Sequence, residues 1–213
     1  MTIRVLLADD HAMMRDGLKA LLAACPDINV AAEVSDGHQA VSLAERLKPD
    51  VVIMDVAMPE LNGIDATQLI RDRFPQIRVV ILSMHSSAEH VFRAFAAGAR
   101  GYLLKESAGT EVEAAVRAVH AGRRYLSSSI ALLVSDPRFA ASRRSPLDSL
   151  SPRERQVLQL VVEGCSSADI AARVHLSPKT IDTYRSRLMR KVGVKDVVSL
   201  VKFALQHGLT PPE

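Results

Sequence analysis

Apolar residues along the first 125 positions follow two rhythms. Short unbroken runs, IRVLLA, VVIM, VVIL and GYLL, alternate with longer stretches in which apolar positions recur every three or four residues. Unbroken runs rich in Val, Ile and Leu predict strands buried on both faces, and the longer stretches predict amphipathic helices. Strands are expected at Ile3–Ala8, Val30–Val34, Val51–Met54, Val79–Leu82 and Gly101–Leu104. Helices are expected at about Met13–Ala24, Gly37–Leu47, Ile64–Arg73, Ala88–Ala97 and Thr110–His120. Five strand–helix repeats predict a doubly wound α/β fold with a parallel sheet. Pro26, Pro49, Pro59 and Pro75 fall between elements, where a missing N–H is tolerated. Ser127–Val134 predicts one more helix.

The pattern then changes. DPRFAASRRSPLDS, from Asp136 to Ser149, is polar, carries two prolines and lacks periodicity, as a linker does. Residues 150–209 show helical periods only, in four short segments. The first starts with Ser151 as N-cap, Pro152 at the first helical position and Glu154 completing a capping box, and stops at Gly164. Ser167–Val174 forms the second, and His175-Leu176 turns the chain. Ser177 caps the third, which runs to about Val192 before Gly193. Lys195–Gln206 is the fourth, stopped by Gly208. The expected organisation is an α/β domain over 1–125, a helix and linker over 126–147, and a four-helix domain over 148–213.

Chemistry enters where the runs end. Asp9, Asp10, Asp55, Ser83 and Lys105 each follow one of these strands. The carboxyl ends of parallel strands share one edge of an open sheet, and ligands bind there. Singly, an aspartate at a strand end caps a turn and a lysine there is solvated. Together, three carboxylates, a hydroxyl and an ammonium suit a phosphorylated aspartate beside a divalent cation. Asp55 is placed to attack phosphorus and form an acyl phosphate. Asp9 and Asp10 diverge from adjacent positions and can serve Mg²⁺, or Mn²⁺, directly and through water. Lys105 can hold phosphoryl oxygens as a point charge, and Ser83 can donate to them. His11, His38, His90 and His120 have no ligand spacing and are expected to be ordinary surface or helix histidines.

In the third helical segment, Ile181, Tyr184, Leu188 and Val192 form a core-facing stripe. Asp182, Thr183, Ser186 and Arg190 lie opposite, flanked by Lys179, Thr180, Arg185, Arg187 and Lys191. A small polar face with basic flanks, after a short helix and tight turn, suits the major groove of duplex DNA. Charge agrees: residues 1–135 hold 14 Lys+Arg and 16 Asp+Glu, whereas 149–213 hold 10 and 6. Cys25 and Cys165 show neither metal spacing nor a disulfide framework. No leader pattern and no run of 18 apolar residues is visible, so a cytoplasmic protein without a membrane partner is expected.

LADDH, MDVAMPELNG, LSMH and GYLLK resemble, in order and spacing, the receiver domain of two-component response regulators, over about residues 3–122. The resemblance implies a flavodoxin-like (βα)5 fold with Asp55 as phospho-acceptor. It implies Mg²⁺ bound by Asp9, Asp10, Asp55 and the Ala57 carbonyl, and a phosphoryl group held by Ser83 and Lys105. Tyr102 matches the family's switch aromatic. Many receivers have Pro after this lysine; Glu106 stands here, and a cis bond before it would cost ~3 kcal/mol. LSPRERQVLQLVVEG, SADIAARVHLS and KTIDTYRSRLMRKVGV resemble a LuxR-type helix-turn-helix over about 148–209. The whole chain is thus similar to NarL/FixJ-class regulators. That class implies a sensor histidine kinase, promoter DNA and a homodimer formed on phosphorylation. Its base-reading positions fall on Asp182, Thr183 and Ser186; Asp182 could accept from a cytosine amine or repel phosphate. The fourth helix, with Val197, Val198, Leu200, Val201 and Leu205, is expected to dimerise on DNA or to complete the core. Two rival readings stand beside this one. A phosphate hydrolase of the haloacid dehalogenase kind lacks its second acid, because Ala57 stands there. An atypical regulator would bind DNA without phosphorylation.

Overall fold

The computed structural model describes residues 2–134, 146–207 and 209. They fall in two compact units, Met1–Arg143 and Arg144–Glu213.

The first unit is a six-stranded parallel sheet in the order β2-β1-β3-β4-β5-β6. The strands are β1 (Ile3–Ala8), β2 (Ile28–Val34), β3 (Val51–Asp55), β4 (Arg78–Ser83), β5 (Gly101–Leu104) and β6 (Tyr125–Leu126). Between them run α1 (Ala12–Ala23), α2 (Gly37–Leu47), α3 (Gly63–Arg73), α4 (Ala88–Ala97) and α5 (Ala108–His120); α6 (Ser128–Val134) follows β6. The unbroken runs are buried on both sides, as parallel strands must be. One layer joins Leu6, Val52, Ile81 and Tyr102 to the α2–α4 side, and the other joins Val5, Ile53, Leu82 and Leu103 to α1 and α5.

Several boundaries shift by a residue or two, and two differences in the sheet have a clear cause. β2 starts at Ile28, because Ile3 N–H donates to Asp27 O and pairing begins there. β6 escaped the pattern: two residues are too short for a period, and pairing with Gly101 and Tyr102 defines the strand. No cis peptide bond occurs among the described residues; Lys105–Ser107 instead makes a 3₁₀ turn into α5.

The second unit holds α7 (Pro152–Val162), α8 (Ser167–Val174), α9 (Pro178–Val192) and α10 (Val197–Gln206). Local signals place three starts. Ser151 and Ser166 each form a reciprocal capping box, and Ser177 accepts from Thr180 N–H ahead of Pro178. The last helix begins two residues later than expected, because Asp196 rather than an earlier residue accepts from Ser199 N–H. Gly208 lies outside the described residues, as do 135–145 of the expected linker. The end of that linker is structured: Pro146–Ser149 is a 3₁₀ turn, and Leu147 and Leu150 are buried in the helical core. Ile181, Leu188, Leu200 and Ala204 are fully buried there, with Tyr184 and Val192 packed alongside. Leu188→Ala is expected to cost ~2–5 kcal/mol. Hydrogen exchange at the amides of Ile170 and Leu200 should accelerate accordingly.

Candidate functional site

β1, β3, β4 and β5 deliver the five strand-end residues to one edge. Asp9 N–H donates to Val34 O at 3.1 Å, so the chain leaves β1 held against β2, and Arg15 fixes the Asp9 carbonyl at 2.6 Å. Val56 N–H donates to Leu82 O, and Gly63 N–H closes the loop back onto Val56 O at 3.0 Å. Asn62 caps α3 by accepting from Asp65 N–H at 3.0 Å. Asp55 therefore sits between a fixed strand and a closed seven-residue turn, with its Oδ1 facing Ala57 N–H at 3.4 Å.

The side chains of Lys105, Asp9 and Asp55 meet at this edge. Lys105 Nζ lies 2.9 Å from Asp55 Oδ2 and 2.9 Å from Asp9 Oδ2. Asp9 and Asp55 are each 1% exposed, while Asp10 is only half-buried. Burial pushes the Asp55 carboxyl up to about 7, and the Asp9 charge adds to this; the Lys105 ammonium opposes both. Lys105 keeps its proton more firmly than usual: burial works against the ammonium, but Asp55 and Asp9 outweigh it. One ammonium thus faces a carboxylate cluster it does not neutralise.

Ser83 and Tyr102 are joined through His85. Ser83 Oγ accepts from His85 N–H at 3.0 Å. Tyr102 is fully buried, its hydroxyl donating to His85 O at 2.7 Å, and burial pushes its pKa up to about 12. The two side chains hold opposite ends of one residue, so movement at Ser83 reaches the tyrosine through His85.

One histidine departs from expectation, and another, on a helix as expected, has partners of its own. His11 is not an ordinary surface residue: its Nδ1 lies 3.0 Å from Asp9 Oδ1, 2.7 Å from Asp10 Oδ1 and 4.0 Å from Asp55 Oδ2. The turn after Asp10 folds it back over the acids, and its own N–H donates to Asp9 Oδ1 at 2.8 Å. Its only sequence signal was adjacency to the Asp pair. His90 is buried on α4, takes Ser87 Oγ at 2.6 Å on Nδ1, and stacks on His85 with ring centroids 4.4 Å apart. Spacing could not show either contact.

On α9 the polar face is exposed along Lys179, Asp182, Thr183, Ser186, Arg187 and Arg190. Ser177, Lys179, Thr180, Thr183, Tyr184 and Arg187 line an open cleft of about 330 Å³ at its N-terminal half. Three of the expected contact residues already have partners within the unit. Asp182 Oδ1 accepts from Ser167 Oγ at 2.7 Å, and Ser167 Oγ in turn accepts from Arg185 Nη1 at 2.8 Å. Lys191 Nζ reaches Glu154 Oε2 at 2.7 Å and Ser149 O at 3.2 Å. Lys179, Arg187 and Arg190 make no ion pair among the described residues. On α10, Leu200 and Ala204 fill the core while Val198 and Leu205 are exposed.

Comparison with known proteins agrees with both units. Residues 5–117 match the response regulator receiver domain, and residues 148–204 match the bacterial regulatory proteins of the luxR family. The transcriptional regulatory protein MctR of Rhizobium johnstonii is 39% identical over 207 residues, covering 97% of this chain and 95% of MctR. The response regulator GacA of Pseudomonas protegens is 38% identical over 208 residues, covering 97% of each. RcsB from Salmonella enterica serovar Typhimurium, bound to promoter P1flhDC in the presence of the phosphomimetic BeF3-, is 27% identical with a TM-score of 0.61, covering 95% of this chain and 98% of RcsB. RcsB is also known as two dimers bound to two parallel DNAs, with 26% identity, a TM-score of 0.60 and coverage of 98% and 100%. The haloacid dehalogenase reading is thereby set aside. Among the described residues no helix is long and apolar enough to cross a membrane.

Proposed function

The chain belongs to the two-component response regulators of the NarL/FixJ class, which join a receiver to a LuxR-type DNA-binding domain, and we propose that phosphorylation of Asp55 by a sensor histidine kinase switches it. The observation that carries this reading is the convergence of Asp55, Asp9, Asp10 and Lys105 at one sheet edge, with Lys105 Nζ 2.9 Å from Asp55 Oδ2. Proteins of this family are DNA-binding regulators rather than enzymes.

The donor set suits a hard cation. Oxygens from three carboxylates lie within 4.8 Å of one another, and Asp55 resists ionisation beside them. Asp9, Asp10, Asp55 and the Ala57 carbonyl would hold Mg²⁺ or Mn²⁺. When bound, the cation cancels the repulsion among the acids and toward an incoming phosphoryl group. The Asp55 carboxylate then attacks phosphorus, and the P–N bond to the kinase histidine breaks as the acyl phosphate forms. Lys105 exchanges a carboxylate for a phosphoryl oxygen. Ser83 turns its hydroxyl inward to donate to another, which frees His85 N–H and loosens the hold on Tyr102.

The phosphoryl group acts as a ligand that favours one of two states. The favoured state is proposed to dimerise and bind promoter DNA. α9 would enter the major groove, with Thr183 and Ser186 at base edges and Lys179, Arg187 and Arg190 at phosphates. The exposed Val198 and Leu205 of α10 are proposed to meet a second copy. RcsB bound to DNA supports this arrangement.

Acceptance is tested by intact mass. With acetyl phosphate and Mg²⁺, the wild type is expected to gain one phosphoryl group, and Asp55→Asn none. Equal gain in both would move the acceptor elsewhere.

A further inference from the structure

The imidazole of His11 serves no part of the phosphoryl-transfer scheme, yet it points into the acidic pocket. Cis ligands of an octahedral Mg²⁺-sized ion lie about 3.0 Å apart and trans ligands about 4.2 Å, given bonds of about 2.1 Å. His11 Nδ1 stands 3.0 Å from Asp9 Oδ1 and 2.7 Å from Asp10 Oδ1, the separations of cis vertices. It stands 4.0 Å from Asp55 Oδ2 and 3.3 Å from Lys105 Nζ, which itself pairs with that oxygen. One nitrogen therefore faces three carboxylates at once, near enough to two of them to share a cation. The ring is fixed there by its short connection to Asp10 and by the backbone N–H of His11 on Asp9 Oδ1.

We infer that His11 is a nitrogen ligand of the cation site and tilts its choice from Mg²⁺ toward first-row transition metals. The inference rests on the proposed cation site and deepens it. Imidazole nitrogen binds Mn²⁺ weakly, Co²⁺ and Ni²⁺ progressively better, and adds little for Mg²⁺, which suits oxygen ligands. An oxygen-only site would lack that gradient. The receiver would then take the phosphoryl group with Mn²⁺ or Co²⁺ at cation levels where Mg²⁺ leaves the pocket empty.

The test uses full-length protein at one fixed pH. Calorimetric titrations with Mg²⁺ and with Co²⁺ compare wild type, His11→Asn and His11→Gln, each checked for unchanged circular dichroism. The preference for Co²⁺ over Mg²⁺ is expected to fall about tenfold or more in both variants, with Mg²⁺ affinity held within about twofold. Pulsed electron paramagnetic resonance of Mn²⁺-loaded wild type should show coupling to a nitrogen nucleus, absent in His11→Asn. An unchanged Co²⁺ preference with no nitrogen coupling overturns the role of His11 but leaves the cation site standing. Failure of both cations to bind wild type and Asp55→Asn alike overturns the cation site itself, and the inference with it.

Discussion

Asp55→Asn is expected to melt several degrees above wild type at pH 8 in the absence of divalent cations. The acceptor carboxyl is buried, repelled by Asp9, and titrates at about 7 instead of the ordinary 3.8. The sign follows from proton binding. Between pH 4 and 7 the folded protein holds a proton that the unfolded chain has released, so stability falls as pH rises across that window and is flat above it. A shift of about three units is worth a few kcal/mol at ~1.4 kcal/mol per unit, or about 5 °C or more for a chain of this size. Asn keeps the shape, carries no charge, and leaves Lys105 its second partner, Asp9, at 2.9 Å. Melting curves in EDTA should therefore coincide near pH 4 and separate by pH 7. Added Mg²⁺ should raise the wild type and leave Asp55→Asn unmoved. A variant less stable than wild type at pH 8 would show that the Lys105 pair outweighs burial.

Gly63→Ala is expected to damage both fold and site. A Cβ at this position would lie 1.8 Å from Asp55 O and 2.8 Å from its carbonyl carbon. The obstacle is backbone, so no rotamer relieves it. The β3–α3 turn must open, breaking the hydrogen bond from Gly63 N–H to Val56 O and displacing Asp55. A loss of ~3 kcal/mol or more is expected, beyond the typical mutation. In urea below the shifted midpoint, phosphoryl gain from acetyl phosphate should fall at least tenfold, because the acceptor leaves the reach of Lys105. Wild-type stability with wild-type phosphorylation would mean that the turn accommodates a methyl group and does not position the acceptor. The glycine is needed here for close approach, not for a left-handed backbone.

Asp55 is legible in the sequence, whereas the close approach at Gly63 is not. Burial on both faces gives the strands their unbroken runs, and the polar residues at their ends mark Asp55, Ser83 and Lys105 from sequence alone. Capping side chains act within four residues, so Ser151 and Ser177 were equally legible. What stayed hidden depends on residues distant in the chain. β6 exists because Tyr125 and Leu126 find β5. Lys191 faces Glu154 and Ser149 across the helical unit, and Asp182 and Arg185 share Ser167 from α8. Such partners leave no period in the sequence. His11 is the instructive case: it stands beside the Asp pair, but the turn that brings its ring over the acids is a tertiary outcome.

The coupling between acceptor and DNA is tested most directly by one titration. Full-length wild type and Asp55→Asn, each with and without acetyl phosphate and Mg²⁺, are titrated onto a duplex selected from random sequence by the treated wild type, while sedimentation reports assembly. Treated wild type is expected to sediment as a dimer and to bind at least tenfold tighter than the untreated protein, with Asp55→Asn unchanged by treatment. Equal affinity for phosphorylated and unphosphorylated wild type would contradict the switch and leave a regulator that binds DNA without phosphorylation.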